Sequence, residues 1–391
     1  MSHHPIHEIL RTTAEQNGGA LLFRDFMDLC LHHPQHGYYN AQKARIGRSG
    51  DFVTAPELTS LFGELITLQL VEIWGRMGAP SRFDVVEMGA GVGRMAADIL
   101  RTARLFTGFK EAIRYAIVDS SPDFRQRQHE TLAQAGIETD SVRWGASLLE
   151  LTVEAPIDGV ILGNEFLDAL PVHGAAVTDQ GLREIVVTWD AHKGAWREQL
   201  EHPSAALAGY CEQHNITAET LQPGWRFEAH VAADGWMRQA ANTLGQGALL
   251  FIDYGEAARE MRCAGRAGGT LMGHYRHKRV DDPLKYPGEM DITAHVDFSA
   301  MARAAEAGGA VRTGFTTQSW FLMGLGILER LEQMQRMVPD AAQLGAIKQA
   351  ASRLLMPGAM GDFKALLLTK GIAPSNEPLA GFRLNNRLNA L

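Results

Sequence analysis

The run Phe83-Asp84-Val85-Val86-Glu87-Met88-Gly89-Ala90-Gly91-Val92-Gly93-Arg94 puts a carboxylate at the end of an apolar segment and follows it with glycines at alternate positions. Glycine reaches backbone angles closed to other residues, so this loop can turn sharply and approach a ligand at the carboxyl end of a sheet. The spacing is G-x-G-x-G, and Arg94 stands where a dinucleotide fingerprint needs its third glycine, which disfavours NAD and FAD. Glu87 would repel a pyrophosphate but can accept hydrogen bonds from an ammonium group or a bound water. One segment later, Tyr115-Ala116-Ile117-Val118-Asp119-Ser120-Ser121-Pro122 ends in Asp119, placed to receive both hydroxyls of a ribose.

A nucleoside with cationic groups and no phosphate meets all of these demands, and S-adenosylmethionine, with its sulfonium and α-ammonium, is that molecule. Expected contacts are Glu87, Gly89, Ala90, Gly91, Gly93, Asp119 and Ser120. The bland alternative is a glycine turn needed only for strand–helix packing. Trp144 and Gly145, after the third apolar segment, can line an adenine pocket, although Trp144 suits a core equally well. Gly159-Val160-Ile161-Leu162-Gly163 runs into Asn164-Glu165-Phe166-Leu167-Asp168, which puts three polar residues where reactants would meet. Helix capping is the competing role for Asn164 and Asp168.

Positioning such residues takes a parallel sheet. Strands are expected at Phe83 to Glu87, Arg114 to Asp119, Val142 to Gly145, Gly159 to Gly163 and Ala248 to Asp253, with helices at Arg94 to Phe106, Pro122 to Ala135 and Ala229 to Leu244. Ala310 to Thr316 and Phe363 to Leu368 can close the sheet as an antiparallel pair, which makes a seven-stranded α/β fold. Residues 1–80 read as an N-terminal helical cap. Residues 81–170 and 229–318 read as two parts of the core, with hairpins and helices inserted at 171–228 as a lid or substrate wall. Residues 319–357 read as a helical insertion, and 358–391 as the last strand and a polar, loosely held tail. Ala257 to Pro287 reads as a loop. Its cluster Arg259, Arg262, Arg266, Arg276, Lys278 and Arg279, opposed only by Glu260, is a solvated face by default and a docking patch for an acidic protein otherwise.

The chain of 391 residues carries 37 Lys+Arg against 45 Asp+Glu, and a net charge of -8 disfavours a duplex-binding protein. No apolar run approaches a membrane span; Trp320 to Leu328 is the longest. Cys30, Cys211 and Cys263 are far apart and odd in number, and MSHHPIHEIL lacks the features of a secretory signal, so a cytoplasmic location is expected. His32, His33, His36, His274 and His277 lack a supporting ligand set, and no metal is assigned.

At several separated places the chain resembles the MidA-like S-adenosylmethionine-dependent methyltransferases. The matching stretches include His36-Gly37-Tyr38-Tyr39, Gly50-Asp51-Phe52-Val53-Thr54-Ala55-Pro56-Glu57, the glycine loop and Asn164 to Val172. They continue through Phe251-Ile252-Asp253-Tyr254-Gly255, Pro287 to Phe298, and Met360-Gly361-Asp362-Phe363-Lys364. Two positions depart from the family habit. Ala90 and Val92 stand where proline and arginine are common, and Asp119 replaces a glutamate but keeps the carboxylate.

The resemblance implies the class I methyltransferase fold and methyl transfer to a protein arginine, in some members on a subunit of respiratory complex I. A small-molecule N- or O-methyltransferase, or a cofactor-binding assembly factor with little catalysis, are the alternatives. A protein substrate is the implied partner, with nucleic acid and membrane insertion not expected and a homodimer left open. Full deprotonation of an arginine with a pKa of about 13 would cost about 8 kcal/mol at neutral pH, so a pair of carboxylates gripping the guanidinium is expected. The resemblance offers Glu57, Asp51, Glu165 and Asp168 as catalytic candidates, and Glu289, Asp291, Tyr38 and Thr54 as substrate contacts.

Overall fold

The computed structural model describes residues 4–40, 54–153, 155–217, 220–276 and 278–391. Its centre is a seven-stranded mixed sheet built from β1 (Phe83–Met88), β2 (Ile113–Val118), β3 (Val142–Gly145), β4 (Ile157–Asn164), β5 (Leu244–Asp253), β6 (Val311–Thr317) and β7 (Lys364–Lys370). The spatial order is β6-β7-β5-β4-β1-β2-β3. The first five strands pair in parallel, whereas β7 runs antiparallel between β5 and β6. This is the class I methyltransferase arrangement, and the expected closing pair is present.

The apolar runs have their cause in the layering. Every residue of β1 is buried, because helices cover both faces of the sheet. One face packs against α1 (Leu61–Arg76), α2 (Arg94–Ala103) and the helices of 318–355, through Leu65, Ile66, Ile99 and Phe321. The other packs against Val231–Thr243 and Phe298–Ala307, through Met237, Phe298 and Met301. The helix after β2, α3 (Pro122–Gln134), starts with Ser121 accepting from the Phe124 amide and with proline in its first turn.

The N-terminal region differs from an all-helical cap. Between helices Ile6–Gln16 and Phe23–His32, Ala20–Leu22 forms an edge strand on the inserted hairpin strand Gly181–Asp190. Leu21 is apolar and β-competent, and the hairpin's open edge supplies the backbone partners that helical periodicity could not foretell. Gly181–Asp190 also pairs with His173–Thr178 and Ala195–Glu201, as the two turn signals predicted.

Two further expectations need correction. The loop from Ala257 to Pro287 contains a hairpin, Met272–Tyr275 with Lys278–Val280, which extends onto Asp291–Thr293. The tail beyond Pro374 is docked rather than loose. Phe382 is buried against Phe321, the Gly381 amide donates to Gln69, and Arg312 donates to the carbonyl of Leu391. A largely polar composition hid these few anchoring contacts.

Candidate active site

The carboxyl ends of β1, β2 and β4 open onto a cavity of about 370 Å³. Its floor is the glycine loop. Gly91 has φ +52 with open space where a side chain would stand, and Gly93, at φ +83, caps α2 where a β-carbon would crowd Gln128 at 3.2 Å. A left-handed backbone is therefore required at both positions, and a chain without side chains can lie directly against a ligand. Glu87 lines this cavity while accepting a 2.6 Å hydrogen bond from the Tyr115 hydroxyl, and burial pushes its pKa up to about 7.

Asp119 faces the same cavity. Its Oδ1 accepts from the Ser121 amide at 2.9 Å and its Oδ2 from Gln128 Nε2 at 2.8 Å, and burial lifts its pKa to about 6. Gln128, fully buried on α3, also donates to the Gly91 carbonyl at 2.9 Å and accepts from Trp144 Nε1 at 3.0 Å. One amide thus ties the glycine loop, the strand-end acid and Trp144 together. Trp144 stacks on His129 and, like Gly145, does not line the cavity; Ala146, Ser147 and Leu148 do. Gly145 instead accepts from the Asp119 amide at 3.0 Å.

At the end of β4 the chain turns over Asn164 and Glu165. Glu165 lies at φ +53, an unusual angle for a residue with a side chain. Asp253 at the end of β5 stabilises the turn, its Oδ2 accepting from the amides of Phe166, Leu167 and Asp168. Glu165 Oε1 accepts from Asn164 Nδ2 at 2.9 Å and from the Ala55 amide at 3.3 Å. Asn164 Oδ1 is buried without a hydrogen-bond partner and borders the first cavity, so it is an acceptor waiting for a donor.

Glu165 and Tyr39 are also walls of a second cavity, of about 730 Å³, which continues over β5 and β7. Asp168 and Asp291 join Glu165 there. Tyr39 holds one of the acids, donating to Asp291 at 2.7 Å, and the Tyr254 phenol lines the same cavity near Asp168. Burial, then the nearby Asp168 charge, lifts Glu165 to about 8; burial lifts Asp168 to about 6. Asp168 Oδ1 is buried and has no partner. A cation entering between these acids would satisfy that oxygen and relieve the crowding of like charges.

The other candidates fall in different places. Thr54 and Glu57 line the first cavity. Tyr38 is buried in the N-terminal core, and it is its neighbour Tyr39 that reaches both cavities. Glu289 lines neither cavity; its amide bonds to the Tyr286 carbonyl. Asp51 lies outside the described residues. Sequence reasoning missed Gln128, Tyr39, Tyr254 and Asp253. Gln128 had left a signal, since it interrupts the buried stripe Phe124, Gln128, Leu132 at helical spacing.

The residues fit S-adenosylmethionine on their own chemistry: carboxylates for an ammonium and a ribose, an orphan amide oxygen, and apolar walls at Phe124, Leu148 and Phe166. A family model for S-adenosyl-L-methionine-dependent methyltransferases matches residues 65–316. The chain belongs to this family. A Burkholderia thailandensis protein solved bound to S-adenosyl-homocysteine is 34% identical with TM-score 0.88, covering 99% of this chain and 96% of that one. Among curated relatives, the mouse mitochondrial protein arginine methyltransferase NDUFAF7 is 31% identical over 89% of this chain and 81% of its own length. The Drosophila melanogaster homolog is 29% identical over 93% and 85%. This methyltransferase uses S-adenosylmethionine. Among the described residues, no helix is long and apolar enough to cross a membrane.

Proposed function

We propose that the methyl acceptor is the guanidinium of a protein arginine. The observation that carries this reading is the wall shared by the two cavities, where Glu165, with Asp168 and Asp291 behind it, stands between the cofactor-type cavity and the larger one. The names of the NDUFAF7 relatives support the same acceptor. When bound, S-adenosylmethionine supplies an electrophilic methyl group. Asp119 and Asn164, with Glu87, would hold it from the side of the glycine loop.

On the acceptor side, Glu165 and Asp168 grip a planar cation through paired hydrogen bonds, with Glu165 held by Asn164 and the Ala55 amide and the neighbouring Asp291 by Tyr39. Glu165 is largely protonated at neutral pH before the cation arrives, because its pKa stands at about 8. The incoming charge favours its ionised form, so acceptor binding releases that proton. The carboxylate is then beside the nitrogen whose proton must leave as the new bond forms, which makes Glu165 the proton acceptor. Alignment and exclusion of water supply the rest.

The test is methyl transfer from labelled S-adenosylmethionine into protein, with acid hydrolysis to identify the labelled amino acid. Methylarginine that disappears in Glu165→Gln, with S-adenosylhomocysteine binding retained, supports the reading. Label in a small molecule or in another amino acid refutes the arginine acceptor, and binding without transfer favours an assembly factor.

A further inference from the structure

The second cavity has an acidic end and an end where cations gather. Beyond the acids, its far side is lined by Arg266, Lys364 and Arg387, set against the carboxylates of Glu256 and Asp362, with Glu260 3.5 Å from Arg387. The sheet fixes the separation. Ile252 pairs with Asn164 and Asp253 with Lys364, so Lys364 on β7 stands two strands from the Asn164–Glu165 turn, about 10 Å away at the usual strand spacing.

The three cations are not equally committed. Lys364 is buried and bonded to Glu256 at 2.9 Å and to the Asp362 carbonyl. Arg266 and Arg387 are part-exposed, and their carboxylate pairs are longer, 3.9 Å to Glu256 and 3.5 Å to Glu260, although Arg266 Nη1 also donates to the Glu260 carbonyl at 2.7 Å. Between the two ends lies His295, whose Nδ1 has no hydrogen-bond partner. Burial pushes His295 down to about 4, and the charges of Arg266 and Lys364 push the same way, as a positive field there requires. A carboxylate seated at this end would take charge-assisted hydrogen bonds from both arginines and give His295 an acceptor.

We infer that the acceptor segment carries an Asp or Glu within about three residues of the methylated arginine, the span that about 10 Å of extended chain covers, and that Arg266 and Arg387 receive it. The arginine-rich strap that reads from sequence as a solvated face thereby acquires a role through Arg266, in selecting the substrate. This assignment rests on the arginine acceptor proposed above.

The experiment uses the full chain with labelled S-adenosylmethionine and an oriented peptide library that has arginine fixed at the centre and mixed residues around it. Enriched acidic peptides are then compared singly with their Gln or Asn counterparts. In the wild type, kcat/KM favours the acidic peptide about tenfold or more, the scale of one charge-assisted pair. In Arg387→Gln and in Arg266→Gln the preference shrinks severalfold, while calorimetry shows unchanged S-adenosylhomocysteine affinity, which certifies the fold. Methylarginine formed with no acidic preference, or a preference that survives in both variants, overturns this inference and leaves the acceptor reading standing. Absence of methylarginine from every peptide overturns both.

Discussion

The two cavities are built in contrasting ways. Glu57 and Glu165 apart, the first cavity draws its floor and acids from one stretch of chain, Glu87 to Leu148, in which Glu87 and Asp119 stand at strand ends. The second cavity, proposed above for the acceptor, gathers Tyr39, Glu165, Tyr254, Asp291, Lys364 and Arg387 from segments far apart in the chain. The first is a local motif held by a single hub, Gln128; the second exists only once the whole sheet and both insertions are in place. Cofactor binding should therefore be lost by local changes, and transfer by changes that leave cofactor binding intact.

The largest expected effect separates the two directly. Glu165→Gln should lower methyl transfer by about a thousandfold, the range of a lost general base, with S-adenosylhomocysteine affinity within about threefold of wild type. A parallel collapse of affinity in calorimetry would erase the distinction drawn here. Next comes Gly91→Val, which forces a β-branched residue into a left-handed backbone and fills the cavity floor. Affinity should fall by at least about a hundredfold, and titration at wild-type strength would contradict the assigned floor.

Gln128→Ala should act on the hub. Leaving the Trp144 N–H, the Gly91 carbonyl and an Asp119 oxygen without their partner should cost about 2 kcal/mol of stability and about tenfold in cofactor affinity, read by denaturant unfolding and calorimetry. If only stability changes, Gln128 is a packing residue.

The smallest effect is in the pH dependence. Glu165, Glu87, Asp119 and Asp168 have folded pKa values of about 8, 7, 6 and 6, above those of an unfolded chain. The folded state then binds more protons, so their contribution is fully present below about pH 4 and declines as pH rises towards 8. Thermal scans should show the melting temperature of Glu165→Gln falling less steeply than wild type between pH 6 and 8. Identical slopes would mean that Glu165 is ionised in the free protein.

The same contrast decides what was legible in the sequence. The strand-end acids and the glycine loop are read from spacing, because the geometry they need is spanned by a few residues. So is the seven-strand sheet, since buried strands must be apolar runs. Which of Tyr38 and Tyr39 faces the site was not legible, because one residue of displacement reverses the direction of a side chain and only packing against Asp291 decides it. Asp253 looked like a strand end and proved to cap the Glu165 turn from the neighbouring strand, a relation fixed by register alone. The strand at Ala20–Leu22 and the docked tail depend likewise on partners supplied by distant chain.

The positive φ of Glu165 carries a consequence for engineering. Glycine at that position would relax the backbone and, by ordinary measure, toughen the protein by about 1 kcal/mol. It would also delete the one carboxylate that, among the described residues, borders both chambers. A search for thermostable variants, run without an activity screen, should therefore favour Glu165→Gly, and the hardier proteins it selects would bind their cofactor and lose nearly all transfer.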